Sequence, residues 1–148
     1  MSMFGGMEIS ASALTAERLR MDVVAENLAN AQTTRGADGQ PYRRKEVVLQ
    51  ERAASFGASL SSAMNTSRPA PSGGGVEVAA IAEDQTPLKR VYDPGHPDAD
   101  AEGYVSMPNV DTVTEMVDLI SAQRAYEANV TAMQAAKQMF ARTLELLR

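Results

Sequence analysis

One short acidic segment contains the residues whose types and spacing most suggest chemistry. The run DPGHPDADAEGY, residues 93–104, contains His96, which is the sole histidine of the chain. The alternating Asp98, Asp100 and Glu102 would offer Ca²⁺ the oxygen ligands that it prefers. One hypothesis is therefore a small acidic metal-dependent hydrolase built on this segment, although it lacks the complete EF-hand pattern and no residue marks a nucleophile.

The same segment also has the composition of a turn. Pro94, Gly95 and Pro97 fix bends, and aspartates are common turn residues. We therefore expect a rigid turn with solvated carboxylates, and no catalytic residue, metal or cofactor. The triple glycine at 73–75 lacks the Lys and Ser/Thr of a phosphate-binding loop, and the basic run at 43–45 is expected on a solvated strand face.

The overall composition excludes several classes of protein. The chain has 148 residues, of which 44% are hydrophobic, and this is enough for one domain with a core. Its net charge of −5 and the lack of a basic patch argue against nucleic acid as a partner. No stretch reaches the roughly 18 apolar residues that a membrane span needs. Without cysteine, disulfides and thiolate chemistry are excluded.

The first of the elements that would position the acidic segment is a helix predicted over about residues 8–31. Its apolar residues recur every seven positions, and Ser10 or Ser12 is expected to cap its start. Asn27 and Asn30 interrupt the apolar pattern near its end. Candidate interface residues on this helix are Leu14, Met21, Val24, Asn27, Leu28 and Asn30.

A longer helix is predicted over about residues 109–147, with Asn109 or Asp111 as its cap. At about 55 Å it exceeds the usual length in a compact domain, which favours a coiled coil or an assembly element. From the pattern alone, the two helices form either a hairpin within the chain or a seam between subunits. Candidate interface residues here are Met116, Leu119, Gln123, Tyr126, Val130, Met133, Phe140, Leu144 and Leu147.

The sequence between the helices predicts a small β-rich insert. Short strands are predicted at 42–51, 76–81 and 87–92, and residues 53–75 read as a flexible linker rich in Ser, Ala, Gly and Pro. The fold class is therefore mainly α with a small β-rich insert, in which the long terminal helices pair as a coiled coil.

Three runs carry a resemblance to a known family. ALTAERLRMDVVAENLANAQTT, residues 13–34, and NVDTVTEMVDLISAQRAYEANVTAMQAAKQMFARTLEL, residues 109–146, resemble the terminal signatures of bacterial flagellar axial proteins. The run VYDPGHPDADAEGYVSMPNV, residues 91–110, is similar to the proximal rod subunits of that family. We find no departure from the family pattern in these runs.

The resemblance implies a structural protein that is not an enzyme. Such subunits leave the cytoplasm through the flagellar type III export apparatus without a cleaved signal peptide and polymerise into a hollow helical tube, the rod, in the periplasmic space. The implied partners are copies of the chain, other rod subunits, and the inner-membrane ring and export-gate-adjacent proteins at the rod base. The resemblance implies that residues 1–36 and 109–148 form an axial core and that residues 37–108 form an outer domain.

On this interpretation the two amides belong to the family's motif, at Asn27 to Asn30. Asn30 lies close enough to the helix end to help satisfy its free carbonyls. For Asn27, a turn earlier, we expect a hydrogen bond across a subunit interface that fixes register. A self-contained soluble coiled-coil adaptor remains the alternative from a third class of protein.

Overall fold

Two helices and four strands make up the part of the chain that the structure describes. The computed structural model describes residues 3–36, 38–52 and 74–146. In chain order the elements are α1 (Met3–Ala29), β1 (Lys45–Glu51), β2 (Val76–Glu83), β3 (Lys89–Tyr92), β4 (Tyr104–Met107) and α2 (Thr112–Leu146). The predicted mainly helical fold with a small β insert is confirmed. Within the described ranges, neither helix is long and apolar enough to cross a membrane.

Helix α1 has 27 residues and begins about five residues before its predicted start. Ser10 and Ser12 therefore lie inside the helix, and the prediction that one of them caps it is wrong. The Ser12 hydroxyl instead donates to the Ile9 carbonyl at 2.7 Å and accepts from the Val76 N–H at 3.1 Å. A serine at this position thus connects the helix to the first residue of β2.

Helix α2 has 35 residues, and Asp111 caps its start. The Val113 N–H donates to one Asp111 carboxylate oxygen at 3.3 Å, and the Thr114 hydroxyl donates to the other at 2.9 Å. Of the two predicted caps, Asp111 is therefore the one that the structure uses. An acidic cap is favourable here because it also faces the positive end of the helix dipole.

The strands form two separate two-stranded sheets, β1 with β2 and β3 with β4. The three predicted strands are present with shifted ends, and β4 was missed because four residues carry too short a pattern to detect alone. The β3–β4 pair is antiparallel, with Lys89 opposite Met107 and Tyr92 opposite Tyr104.

The acidic segment forms the loop of the β3–β4 hairpin, as its turn composition predicted. The Asp93 N–H donates to the Gly103 carbonyl at 2.9 Å and so closes the loop directly beyond the last strand pair. Gly103 has a φ of +82°, and a Cβ there would lie 2.9 Å from the Tyr92 ring. Only glycine fits this position without strain.

Contacts between residues divide the chain into two compact units. The first unit draws on residues 1–18, 49–79 and 123–148, and the second on residues 19–48 and 80–122. In the described part of the first unit, the buried side chains are Ser12 and Ala16. The second unit has a core of apolar and polar side chains, in which the fully or nearly fully buried residues are Val23, Val24, Asn27, Val105, Pro108, Val110, Glu115 and Ala122.

Two predictions fall largely or wholly outside the described residues. The linker predicted at 53–75 overlaps the structure only at Gly74 and Gly75, and Leu147 of the predicted interface also lies beyond the described ranges. The division into an axial core and an outer domain stays a prediction, as does the pairing of the terminal helices as a coiled coil.

Candidate functional site

A buried amide lies at the centre of a polar network in the second unit. The Asn27 side chain is fully buried, and its amide nitrogen donates to the Lys45 carbonyl at 2.8 Å and to Glu115 Oε2 at 3.0 Å. Its amide oxygen accepts from the Lys45 N–H and from the Tyr42 hydroxyl, both at 2.9 Å. These contacts within the chain account for a buried Asn27 without any bond to a neighbouring subunit.

Asn30 differs from Asn27 although only three residues separate them. Its amide nitrogen donates to the Glu26 carbonyl at 2.9 Å, one turn back along the same helix. Its amide oxygen accepts from the Thr33 hydroxyl at 3.2 Å. Asn30 therefore makes local contacts at the end of α1, but the Glu26 carbonyl also accepts the Asn30 N–H at 3.0 Å and is not one of the free carbonyls that the prediction concerned.

Glu115 connects the network to a second charged side chain. It is fully buried, and Arg44 Nε donates to its Oε1 at 2.5 Å. Arg44 Nη2 lies 3.4 Å from Asp118 Oδ2, and the hydrogen bond to Glu115 is the largest cause of the raised pKa of Arg44. The prediction that the basic run at 43–45 forms a solvated strand face is therefore wrong for Arg44. A buried carboxylate needs such a partner because burying an unpaired charge is costly.

Asn109 extends the network toward the strands. Its amide oxygen accepts from the Arg44 N–H at 2.9 Å. Its amide nitrogen donates to the Asp84 carbonyl at 3.2 Å and to the Thr86 hydroxyl at 2.8 Å. The residue that the sequence offered as an alternative cap for α2 instead joins the segment before that helix to the ends of β1 and β2.

Burial and acidic neighbours also raise the pKa of the Tyr42 hydroxyl, which belongs to the network. Burial, followed by the negative charges of Glu26 and Glu115, raises the pKa of Tyr42 from 10.0 to about 12. The hydroxyl therefore stays protonated and donates to Asn27 throughout the physiological range. The network positions helices and strands, and its polar groups bind one another rather than face a substrate.

The acidic loop uses its carboxylates in structural contacts. Asp98 accepts from the Thr34 hydroxyl at 2.9 Å and lies 3.6 Å from the Arg35 guanidinium. Asp100 accepts from the Tyr104 and Glu102 N–H groups at 2.8 and 2.9 Å, and the bond from Tyr104 is the main reason that the pKa of Asp100 is below its usual value.

His96 also has a structural contact in this loop, because its Nδ1 accepts from the Asp98 N–H at 3.1 Å. Among the described residues, no group of three or more His, Cys, Asp or Glu side chains is arranged to hold a metal ion. The loop residues that suggested a hydrolase are engaged in building a turn.

A row of large apolar side chains on α2 is exposed to solvent. Its members are between 51% and 68% exposed and follow the spacing of one helix face, at i, i+3, i+4 and i+7. They lie on the side of α2 opposite to the buried Glu115 and Ala122. We call this row the apolar ridge, and it consists of Val113, Met116, Val117 and Ile120.

The candidate interface residues differ in exposure. The exposed ones are Met116, Gln123, Phe140 and Leu144. The half-buried ones are Leu14, Met21, Leu28, Asn30, Leu119, Tyr126, Val130 and Met133, whereas Val24 and Asn27 are buried. Three ridge residues were missed because the heptad pattern selected only Met116. The spacing of Val113, Val117 and Ile120 around Met116 was the signal that identifies them.

Comparisons with known proteins define the class of protein. The family model described as "Flagella basal body rod protein" matches residues 7–37, which include most of α1. The model described as "Flagellar basal body rod FlgEFG protein C-terminal" matches residues 101–146, which include all of α2. The helices that contribute Asn27, Glu115 and the apolar ridge are thus those of a flagellar basal-body rod protein.

Full-length relatives narrow the class to one family. The chain is 54% identical to the flagellar basal-body rod protein FlgC of Bacillus subtilis over 150 aligned residues, covering 99% of each chain. It is 48% identical to FlgC of Escherichia coli O6:H1, covering 99% of this chain and 98% of the relative. The identity to FlgC of Borreliella burgdorferi is 43%, covering 100% of this chain and 99% of the relative. The chain belongs to the FlgC family and is a structural subunit of the bacterial flagellar basal-body rod.

Proposed function

We propose that this rod subunit polymerises through exposed apolar residues of its terminal helices into a hollow helical shaft. Its role is structural and not catalytic. The observation that carries the proposal is the apolar ridge, because exposing four large apolar side chains on one helix face to water is unfavourable in free energy. Covering them with another subunit removes this cost and drives assembly.

The candidate interface residues divide into two roles in this proposal. The exposed Met116, Gln123, Phe140 and Leu144 contact other subunits. The half-buried Leu119, Tyr126, Val130 and Met133 on α2, and Leu14, Met21 and Leu28 on α1, form the seam of a coiled coil between the terminal helices. Val24, Asn27 and Asn30 support the interface indirectly, by fixing the end of α1. Leu147 continues the same heptad position as Phe140.

The proposed partners are copies of the chain and other flagellar rod subunits. At the rod base they include the inner-membrane ring and export-gate-adjacent proteins. Before assembly the chain passes through the flagellar type III export apparatus, the route that its resemblance to flagellar axial proteins implies. Residues 1–36 and 109–148 form the axial core, and residues 37–108 form the outer domain.

Met116→Asp tests the proposal at an exposed position, where the substitution does not disturb a core. We expect the amount of chain in basal bodies purified from cells to fall about tenfold or more, because the interface would bury an unpaired charge. Gln134→Asp, at an exposed polar position of α2, is the control and should be incorporated normally. Circular dichroism of each purified variant verifies that the fold is unchanged. Incorporation of Met116→Asp at the control level would refute the proposed interface.

A further inference from the structure

The methionines of the chain differ in their exposure to solvent. Met116 and Met139 are 54% and 57% exposed. The half-buried ones are Met7, Met21, Met107 and Met133. The chain contains no cysteine, whose thiolate is normally the first side-chain group that an oxidant attacks. Among the methionines whose side chains the structure describes, Met116 and Met139 are therefore the ones most accessible to a dissolved oxidant.

Met116 differs from Met139 in its place on the molecule. It belongs to the apolar ridge, whose other members Val113, Val117 and Ile120 have hydrocarbon side chains. A peroxide does not oxidise these hydrocarbon groups under mild conditions, and they offer no hydrogen-bond donor. Met116 is therefore the ridge residue whose polarity a chemical reaction can change.

We propose that the Met116 thioether is a modification site for peroxides, and that its oxidation prevents burial of the apolar ridge. The sulfur attacks one oxygen of hydrogen peroxide, the O–O bond breaks, and the other oxygen leaves as water after it takes up the proton of the first. The sulfur loses two electrons and the peroxide gains two, so the reaction needs no further co-reactant. The product is methionine sulfoxide.

The sulfoxide oxygen changes what the apolar ridge can contact. It is a hydrogen-bond acceptor, and the other ridge side chains supply no donor, so covering the oxidised ridge with another subunit would leave this acceptor unpaired. The inference rests on the proposed assembly through the ridge and adds a chemical condition to it. The Met116 thioether must be reduced when the subunit joins the rod, and a methionine sulfoxide reductase restores an oxidised chain.

Peptide mapping by mass spectrometry measures the reaction on the purified chain. In excess hydrogen peroxide, Met116 should form sulfoxide about fivefold faster than the half-buried Met133 on the same helix, because oxidation follows exposure. Met139 is the matched control for exposure and should react at about the same rate as Met116. A rate for Met116 no higher than the rate for Met133 would overturn the inference.

Incorporation in cells tests the effect on assembly. Cells that lack the native subunit and methionine sulfoxide reductases produce the wild-type, Met116→Leu or Met139→Leu chain, and a pulse of isotope-labelled amino acids marks the chain that is still free. Hydrogen peroxide is then added at a dose that converts Met116 of the free chain to sulfoxide, as mass spectrometry verifies. We expect labelled chain in isolated basal bodies to fall about tenfold for wild type and Met139→Leu. For Met116→Leu it should fall less than about twofold, because leucine keeps the ridge apolar and is not oxidised.

Two results of the cell experiment would overturn the inference. An equal loss for wild type and Met116→Leu would show that the loss does not depend on the thioether. Wild-type chain that enters basal bodies with Met116 as sulfoxide would show that the oxidised ridge still assembles. Neither result affects the proposed function, which fails instead if unoxidised Met116→Asp is incorporated at the control level.

Discussion

At the scale of single residues, Asn27 is the side chain with the most structural consequences. Its amide nitrogen and amide oxygen both bind the Lys45 backbone, and the side chain also contacts Tyr42 and Glu115. An amide is suited to this position because it donates and accepts at once. In a buried site, removing such a group leaves several partners without hydrogen bonds, and each unsatisfied group is costly.

Asn27→Ala should therefore lower the free energy of unfolding by about 2–4 kcal/mol, because it removes the hydrogen-bond partner of two donors and two acceptors. Urea unfolding followed by circular dichroism measures the loss. Asn30→Ala is the matched control on the same helix, and its loss should stay near 1 kcal/mol or below, since it removes local bonds only. Equal losses for the two variants would contradict the central place of Asn27.

Tyr42 makes the network sensitive to alkaline pH. Burial and the charges of Glu26 and Glu115 raise its pKa in the folded chain from 10.0 to about 12. The unfolded chain therefore releases the phenolic proton before the folded chain does, and the free energy of unfolding should decrease as the pH rises from about 10 to about 12.

The comparison with Tyr42→Phe isolates this effect, because the other tyrosines and the lysines titrate in both proteins. The difference in stability between wild type and variant should be constant below pH 10 and decrease above it. A difference that stays constant up to pH 12 would show that the phenol ionises equally in both states.

At the scale of elements, the β3–β4 hairpin depends on its acidic loop. Asp100 accepts two backbone N–H groups within the loop, and Asp98 binds Thr34 and Arg35 outside it. A two-stranded hairpin is only marginally stable by itself, so such loop contacts are needed to hold its shape. The residues that suggested a metal site therefore have a structural role.

Gly103→Ala should destabilise the chain by roughly 1–3 kcal/mol, because a side chain at φ +82° is strained and its Cβ would meet the Tyr92 ring. The free energy of unfolding in urea is again the measurement. Gly95→Ala in the same loop is the control, since its nearest neighbour would be 3.5 Å away at ordinary contact distance. A loss at Gly95 that matches the loss at Gly103 would contradict this account of the turn.

The elements also show what the sequence could and could not predict. The heptad spacing identified both helices, and residue type identified Asp111 as one of two candidate caps, because these signals are local. The Arg44–Glu115 pair was not predictable, since its members lie 71 residues apart and only the folded chain brings them together. For the same reason, a pattern of four residues could not reveal β4 without knowledge of its partner, β3.

At the scale of the whole molecule, the chain buries small and polar residues and exposes several large apolar ones. Ala16, Ala122 and Asn27 are buried, whereas Met116 and Ile120 are more than half exposed. Exposed large apolar side chains bring no advantage to a protein that functions as a monomer. In a subunit that completes its core by contact with neighbours, these side chains become buried on assembly. The distribution therefore fits the family to which the chain belongs.

The most direct test of this account is a density map of isolated basal bodies that resolves side chains of this subunit. We expect Val113, Met116, Val117 and Ile120 to be covered by a neighbouring subunit, while Asn27 keeps its contacts with Lys45 and Glu115 within the chain. A rod in which these four side chains remain exposed to solvent would contradict the claim that the chain assembles through the exposed apolar face of α2.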